Sequence, residues 1–295
     1  MPQIKLIQNK LKDTGIKNIT YIGGEPFLRE GLLEISSHAR SLNIKTAVVT
    51  NGSLITESMA TAIAANDIFN NMIFSIDGPE PIHDAIRGKS QTFASSARSI
   101  NLLQKTKKVQ GFKTPKIYIY ATISSLNYKH ILSVYDIAKK LDVNALRFTS
   151  VSCITNSIIN ETNALLRETA LEEHSYNISE STLIPCEYMP EVKNQLSIVD
   201  RLCAESGKKL FVEKYLLGEK NSNCAFIEKN FVISPYGDVF LCPMLPRYTI
   251  GNVLREPLEI ILSRTTAKNR MKLLANLIST RKLPVCPQCC VEKII

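Results

Sequence analysis

A chain of 295 residues with 44% hydrophobic residues is long enough for one large domain, or for one domain and a smaller companion, each with a buried core. The net charge of +9 is spread along the chain, no apolar stretch approaches a membrane span, and the start, Met1-Pro-Gln-Ile-Lys-Leu6, has no apolar signal-peptide core, which points to a cytoplasmic protein with no membrane partner. Eight cysteines without an export signal argue against a disulfide framework and for metal ligation or buried thiols.

In chain order, Ile19–Ile22, Ala47–Thr50, Met72–Ile76, Ile117–Ile123 and Leu146–Val151 read as strands. Helices fall between them. Leu32, Ile35, Ala39 and Leu42 recur at spacings of 3, 4 and 3, which is one helix face. Phe93, Ala97, Ile100 and Leu103 repeat the pattern, as do Ile131, Val134, Ala138 and Leu141. Alternating strands and helices imply a parallel sheet, either open or closed into a partial barrel; the pattern alone does not separate the two. From about Asn156 to Gly218 the rhythm breaks, with one helix expected over Pro190–Glu205. The expected division is therefore 1–155 for the sheet domain, 156–220 for a connecting region and 221–295 for a C-terminal domain. Lys105, Lys107 and Lys108 form a basic cluster that reads as a solvated helix face, with a groove for an acidic peptide as the alternative. No aromatics interleave with it, which disfavours nucleic-acid binding.

In either architecture ligands bind at the C-terminal ends of the strands. The polar content gathers there, in Gly23-Gly-Glu-Pro26, Thr50-Asn-Gly52, Ser75-Ile-Asp-Gly78, Ser124-Ser-Leu-Asn127 and Thr149–Cys153. Any one of these reads equally as a turn or a helix cap. Their recurrence at one rim marks a candidate site.

Four cysteines near the end form a second candidate. Twelve residues separate Cys224 from Gly237, and four separate Gly237 from Cys242. Pro235-Tyr-Gly-Asp238 is a turn signal between apolar strands, so a hairpin brings Cys242 back towards Cys224. A long helical stretch over Pro257–Ile278 follows, and then Cys286-Pro-Gln-Cys289. Thiolates grouped in this way hold an iron–sulfur cluster or a zinc ion. Cys290 is a weaker candidate, Cys153 stands at a strand end, and Cys186 and Cys203 read as ordinary buried or half-buried thiols.

Gly23-Gly24-Glu25-Pro26-Phe27-Leu28, Thr50-Asn51-Gly52, Ser75-Ile-Asp-Gly78, His83-Asp84 and Arg87-Gly88 together resemble the radical S-adenosylmethionine (radical SAM) enzymes. The spacing Cys-x₁₂-Gly-x₄-Cys resembles the start of their SPASM or twitch extension. The resemblance implies an α/β fold: a partial (β/α)₆ TIM-like barrel, here without its first strand, plus a small C-terminal α+β iron–sulfur domain. It implies SAM bound by Gly23, Gly24, Glu25, Pro26, Asn51, Ser75, Asp77 and Arg87, with Gly-Gly-Glu-Pro at the amino group and Ser75 and Arg87 at the carboxylate. For Arg87 the alternative is a surface ion pair with Asp84 or Glu80. It also implies an auxiliary [4Fe–4S] cluster on Cys224, Cys242, Cys286 and Cys289. Its members use a 5′-deoxyadenosyl radical to oxidise or modify peptides, protein side chains or small alcohols. Flavodoxin or ferredoxin is the implied type of reductant.

One departure is large. The family ligates its catalytic [4Fe–4S] cluster with Cys-x₃-Cys-x₂-Cys ahead of Gly-Gly-Glu-Pro. None of the 22 residues before Gly23 is cysteine, and Ile4–Asp13 looks like the first barrel helix. No catalytic residue is therefore identifiable. A catalytic cluster is expected only in a full-length form, and this chain is expected to be inactive as it stands, as a truncated product or a degenerate relative. The alternative function is a noncatalytic iron–sulfur or zinc-binding module.

Overall fold

The computed structural model describes residues 2–152, 154–172, 180–212, 214–217, 224, 230–280 and 282–286. These fall into two compact units, residues 1–150 with 184–217, and residues 151–183 with 218–295. The division differs from the expected one. The segment read as a connector is shared: residues 184–217 complete the first unit and 151–183 join the second.

In the first unit the strands are β1 (Asn18–Tyr21), β2 (Lys45–Thr50), β3 (Asn71–Ser75), β4 (Lys116–Ile123), β5 (Ala145–Ser150) and β6 (Lys209–Val212). The helices are α1 (Pro2–Asp13), α2 (Leu32–Ser41), α3 (Glu57–Ala65), α4 (Glu80–Arg87), α5 (Thr92–Gln110), α6 (Ile131–Lys140) and α8 (Met189–Ser206). The sheet order is β1-β2-β3-β4-β5-β6, and every pair is parallel.

That order decides between open sheet and barrel. Parallel crossovers are right-handed, so a sheet laid down in strict sequence puts every crossover helix on the same face. A doubly wound sheet would need a reversal of strand order, and there is none. The core is correspondingly lopsided. Val48, Met72, Phe74, Ile117, Ile119, Leu146 and Phe148 point to the helices and are at most 1% exposed. The opposite face carries a smaller cluster of Ile73, Tyr118 and Ala145, flanked by Val49, Tyr120 and Phe211. Arg147 lies buried on that face with its guanidinium 5.5 Å from the centre of the Tyr120 ring. The fold is a TIM-like partial barrel.

Five of the six strands stand where the alternation of residues places them. β6 was not legible, because Lys-Leu-Phe-Val is too short to show a period and follows the expected connector. α8 runs from Met189 to Ser206, with Pro190 in its first turn, where a missing N–H costs nothing, and Gly207 closing it at φ 67°.

The second unit contains α7 (Asn156–Leu166), α9 (Leu258–Ser263), α10 (Thr265–Ser279) and a sheet of β7 (Val232–Ile233), β8 (Asp238–Phe240) and β9 (Thr249–Asn252), antiparallel in that order. The β7–β8 hairpin is the expected one. Gly237 has φ 85°, and a Cβ there would meet Leu254 at 2.7 Å and Asn252 at 2.9 Å. The expected long helix is two helices, because Arg264 is extended (φ −61°, ψ 139°). Glu168, just beyond α7, is bound into this unit by Arg270 at 2.6 Å, and Arg270 also covers the Tyr248 ring at 4.5 Å. No helix among the described residues is long and apolar enough to cross a membrane.

Phe148 fills the helix-facing core with no solvent exposure. Phe148→Ala is expected to cost ~3–5 kcal/mol, read as a lower midpoint in urea denaturation followed by circular dichroism. A shift equivalent to under ~1 kcal/mol would contradict its place in the core.

Candidate functional site

The strand ends of the first unit form a rim held together by two carboxylates. Glu25 precedes proline and is extended (φ −135°, ψ 111°). Its Oε1 accepts from the Phe27 amide at 3.1 Å and the Thr50 hydroxyl at 2.7 Å; its Oε2 accepts from the Asn51 amide at 2.7 Å. Glu25 thus latches the turn after β1 to the end of β2. Gly23 (φ 148°) and Gly24 are exposed, and a Cβ on either would meet nothing within 4 Å. Their backbone is open to a ligand.

The Thr50-Asn51-Gly52 turn is fixed from beneath. Ser96 and Ser99 of α5 donate to the carbonyls of Asn51 and Gly52, and Asn51 Oδ1 accepts from the Ser53 amide. Gly52 is required here. Its φ is 72°, and a Cβ would lie 2.8 Å from Phe74 and 3.2 Å from the Ser96 backbone.

At the end of β3, Ser75 is half-buried and Asp77 is buried. Asp77 Oδ1 accepts from the Thr122 amide at 3.0 Å, and its Oδ2 lies 2.7 Å from Arg87 Nη2. Arg87 therefore pairs with Asp77, not with Asp84 or Glu80. Asp84 instead caps α5, accepting from the Gln91 and Phe93 amides and the Thr92 hydroxyl. The Thr92 hydroxyl, followed by the Phe93 amide, holds the Asp84 carboxyl below its usual range. His83 is 1% exposed; its Nδ1 accepts from the Asp77 amide at 3.1 Å. Burial lowers its pKa, the charge of Asp77 opposes that shift, and Arg87 adds to it. Asn127, also 1% exposed, donates to the carbonyls of Asp77 and Thr122 and accepts from the amide of Ser124. His83 and Asn127 were visible in the motifs only as polar residues; His83 meets Asp77 six residues back across the turn after β3, and Asn127 reaches Asp77 from fifty residues away.

In the second unit Cys242 follows β8. Its thiol is pushed up to about 12, first by burial and then by the neighbouring sulfurs of Cys286 and Cys224, while hydrogen bonds from the Met244 and Leu245 backbone partly offset this. Among the described residues no three His, Cys, Asp or Glu are placed closely enough to hold a metal ion. Soft sulfur donors fit iron or zinc in kind. Cys289, Cys290 and Cys153 lie outside the described residues. Cys203 is buried as expected; Cys186 is exposed, contrary to expectation, because Pro185 and the turn at Cys186–Tyr188 keep it off the core.

One unit is a parallel partial barrel with a polar strand-end rim and the other carries Cys224, Cys242 and Cys286, the features of a cofactor-dependent barrel protein. Residues 2–138 match the Radical SAM superfamily, and residues 224–290 match the SPASM iron–sulfur cluster-binding domain. Together these are the matches of a radical SAM protein with a C-terminal SPASM domain. The two domains imply [4Fe–4S] clusters and SAM as cofactors. Among curated relatives, the antilisterial bacteriocin subtilosin biosynthesis protein AlbA of Bacillus subtilis (strain 168) is 23% identical over 88% of this chain and 52% of its own length. The cysteine-type anaerobic sulfatase-maturating enzyme of Clostridium perfringens (strain 13 / Type A) is 27% identical over 80% of this chain and 62% of its own. The chain thus spans about half to three-fifths of these relatives. Two solved structures share the fold with a TM-score of 0.66: anSMEcpe with bound AdoMet (22% identity, 98% of this chain, 79% of that one), and Streptococcus suis SuiB bound to precursor peptide SuiA (15%, 97% and 64%).

The lowered pKa of His83 sets a pH dependence. An unfolded imidazole titrates near 6.5. As pH falls through that value the unfolded chain takes up a proton that folded His83 resists, so stability is full above it and declines below it. Urea denaturation is expected to show a larger loss between about pH 7.5 and about pH 5.5 for the wild type than for His83→Gln. Equal losses would mean that His83 titrates alike in both states.

Proposed function

We propose that this chain forms the SAM-binding rim and the auxiliary cluster domain of a radical SAM enzyme that modifies a peptide or protein side chain. Gly23, Gly24, Glu25, Pro26 and Asn51 take the amino end of SAM, and Ser75 and Arg87 its carboxylate. Cys224, Cys242, Cys286 and Cys289 hold one auxiliary [4Fe–4S] cluster. The observation that carries this reading is the rim itself: exposed glycine backbone and a latched Glu25 lie at the C-terminal ends of β1 and β2, and an exposed Arg87 reaches Asp77 beyond β3, in a chain that matches this superfamily. Peptide substrates are supported by relatives whose names refer to bacteriocin biosynthesis and sulfatase maturation.

The residues perform separable tasks. Glu25 Oε2 accepts one hydrogen bond within the protein, so a carboxylate oxygen remains for an ammonium group. Gly23 and Gly24 let the ligand approach the main chain. Asp77 is 3% exposed with a protein partner on each oxygen, so its part is to hold Arg87. When bound, an iron–sulfur centre supplies the electron that radical SAM chemistry requires. The electron donor is a small reductant protein of the flavodoxin or ferredoxin type, and the setting is cytoplasmic.

Purified anaerobically and reconstituted with iron and sulfide, the chain is expected to hold about four irons. Cys242→Ala is expected to lose them, with the thiolate-to-iron absorption. Unchanged iron would remove Cys242 from the ligand set, and a colourless protein with a single zinc would favour the binding-module alternative.

The 295 residues contain no Cys-x₃-Cys-x₂-Cys set. Incubated with SAM and a strong reductant, this polypeptide by itself is expected to release no 5′-deoxyadenosine. Sustained release would overturn that expectation.

A further inference from the structure

We infer that His83 and Asn127 are positioning residues that act through Asp77 on Arg87, so that the rim presents an oriented guanidinium to the carboxylate of its ligand. The inference rests on the reading that this rim takes SAM, and deepens it by naming what aims the carboxylate-binding group.

Arg87 lies in the last turn of α4, with Gly88 ending the helix in the left-handed region at φ 62°. Its side chain is 37% exposed, and one guanidinium nitrogen, Nη2, lies 2.7 Å from Asp77 Oδ2. A guanidinium has five N–H donors in a rigid plane. Fixing one edge on a buried carboxylate sets the direction of the others, and a planar fork suits a second carboxylate. A long arginine tethered only at its Cα would have to lose its rotamer freedom on binding.

The aim is only as good as the Asp77 anchor, whose side chain is 4% exposed. Its Oδ1 takes the Thr122 amide at 3.0 Å. Its main-chain N–H donates to His83 Nδ1 at 3.1 Å, and its carbonyl accepts from Asn127 Nδ2 at 2.7 Å. Those two residues immobilise the backbone that carries the carboxylate.

His83 is the acceptor in its bond, so its ring proton sits on Nε2. The 3.7 Å between Nδ1 and Asp77 Oδ2 is too long for a hydrogen bond and leaves the carboxylate to Arg87. The edge of Phe93, with ring centres 6.3 Å apart, packs against the imidazole. Asn127 also donates to the Thr122 carbonyl at 2.9 Å. It therefore joins the two strand ends whose separation sets where Asp77 meets the Thr122 amide. Neither His83 nor Asn127 needs to touch the ligand.

The test compares two ligands on the same protein. SAM has the amino-acid carboxylate; 5′-methylthioadenosine has the adenosyl and thioether parts without it. Binding of each is measured by equilibrium dialysis to the wild type, Arg87→Ala, Asp77→Asn, Asn127→Ala, His83→Phe and His83→Gln. A charge-assisted contact corresponds to about a 10- to 100-fold change in affinity.

Arg87→Ala, Asp77→Asn, Asn127→Ala and His83→Phe are expected to weaken SAM by about tenfold or more while leaving methylthioadenosine within about threefold. His83→Gln, which keeps an acceptor, is expected to restore most of the SAM affinity. Retained methylthioadenosine binding also certifies that each variant is folded, and Asp77→Asn is isosteric should Asn127→Ala prove unstable. Equal weakening of both ligands by the His83 and Asn127 variants, with Arg87→Ala selective for SAM, would overturn the inference and leave the rim reading intact. Loss of no SAM affinity in Arg87→Ala, or no SAM binding by the wild type, would overturn the rim reading and this inference with it.

Discussion

Each strand of the larger unit lies beside its neighbour in sequence and runs in the same direction. Right-handed crossovers then leave no choice about where the helices go. They cover one face, and the large aliphatic and aromatic core forms there. The other face is left to line an interior, and it is the face with Tyr118, Tyr120 and the buried Arg147. Because all the strands point one way, their C-terminal ends share one rim. The site follows from that shared direction.

The two carboxylates of the rim do different work. Glu25 is half-buried and ties neighbouring strand ends through the Thr50 hydroxyl and the Asn51 amide, while keeping capacity on Oε2. Asp77 is buried, and its cost of burial is offset by an amide, a guanidinium and a fixed backbone. With only the Asp77 side buried, the pair is poor evidence for added stability, since desolvation of that carboxylate opposes it, but removing Arg87 would strand Asp77. Its value here is geometric: it holds a cation at an opening.

The second unit works by a different principle. Burial holds the Cys242 thiol in its protonated form, and nearby sulfurs add to that. A metal centre takes thiolates, so ligation at Cys242 would have to overcome the same burial, and the backbone hydrogen bonds of Met244 and Leu245 would favour the charged sulfur. The hairpin that carries Cys242 depends on Gly237, where any side chain would strike Leu254 and Asn252. The β9 strand that completes this sheet was not legible, since Thr-Ile-Gly-Asn has no period of its own and forms only against β8.

By itself the sequence determined the elements whose signal is local. Five strands, the helices with an apolar face, the hairpin at Gly237 and the glycine-bearing strand ends are all set by neighbours within a few residues, and the motifs were enough to indicate the family. The tertiary structure alone decided what depends on partners far apart in the chain. It made a barrel of the sheet through strand order, recruited β6 from a stretch that looked like a linker, and broke one expected helix at Arg264. It also brought Asn127 to the Asp77 carbonyl and the Thr122 amide to the Asp77 carboxylate, across about fifty residues. The reason is physical. A period or a turn is written in adjacent residues, whereas the destination of a hydrogen bond between residues 77 and 127 is fixed only once two strands lie side by side.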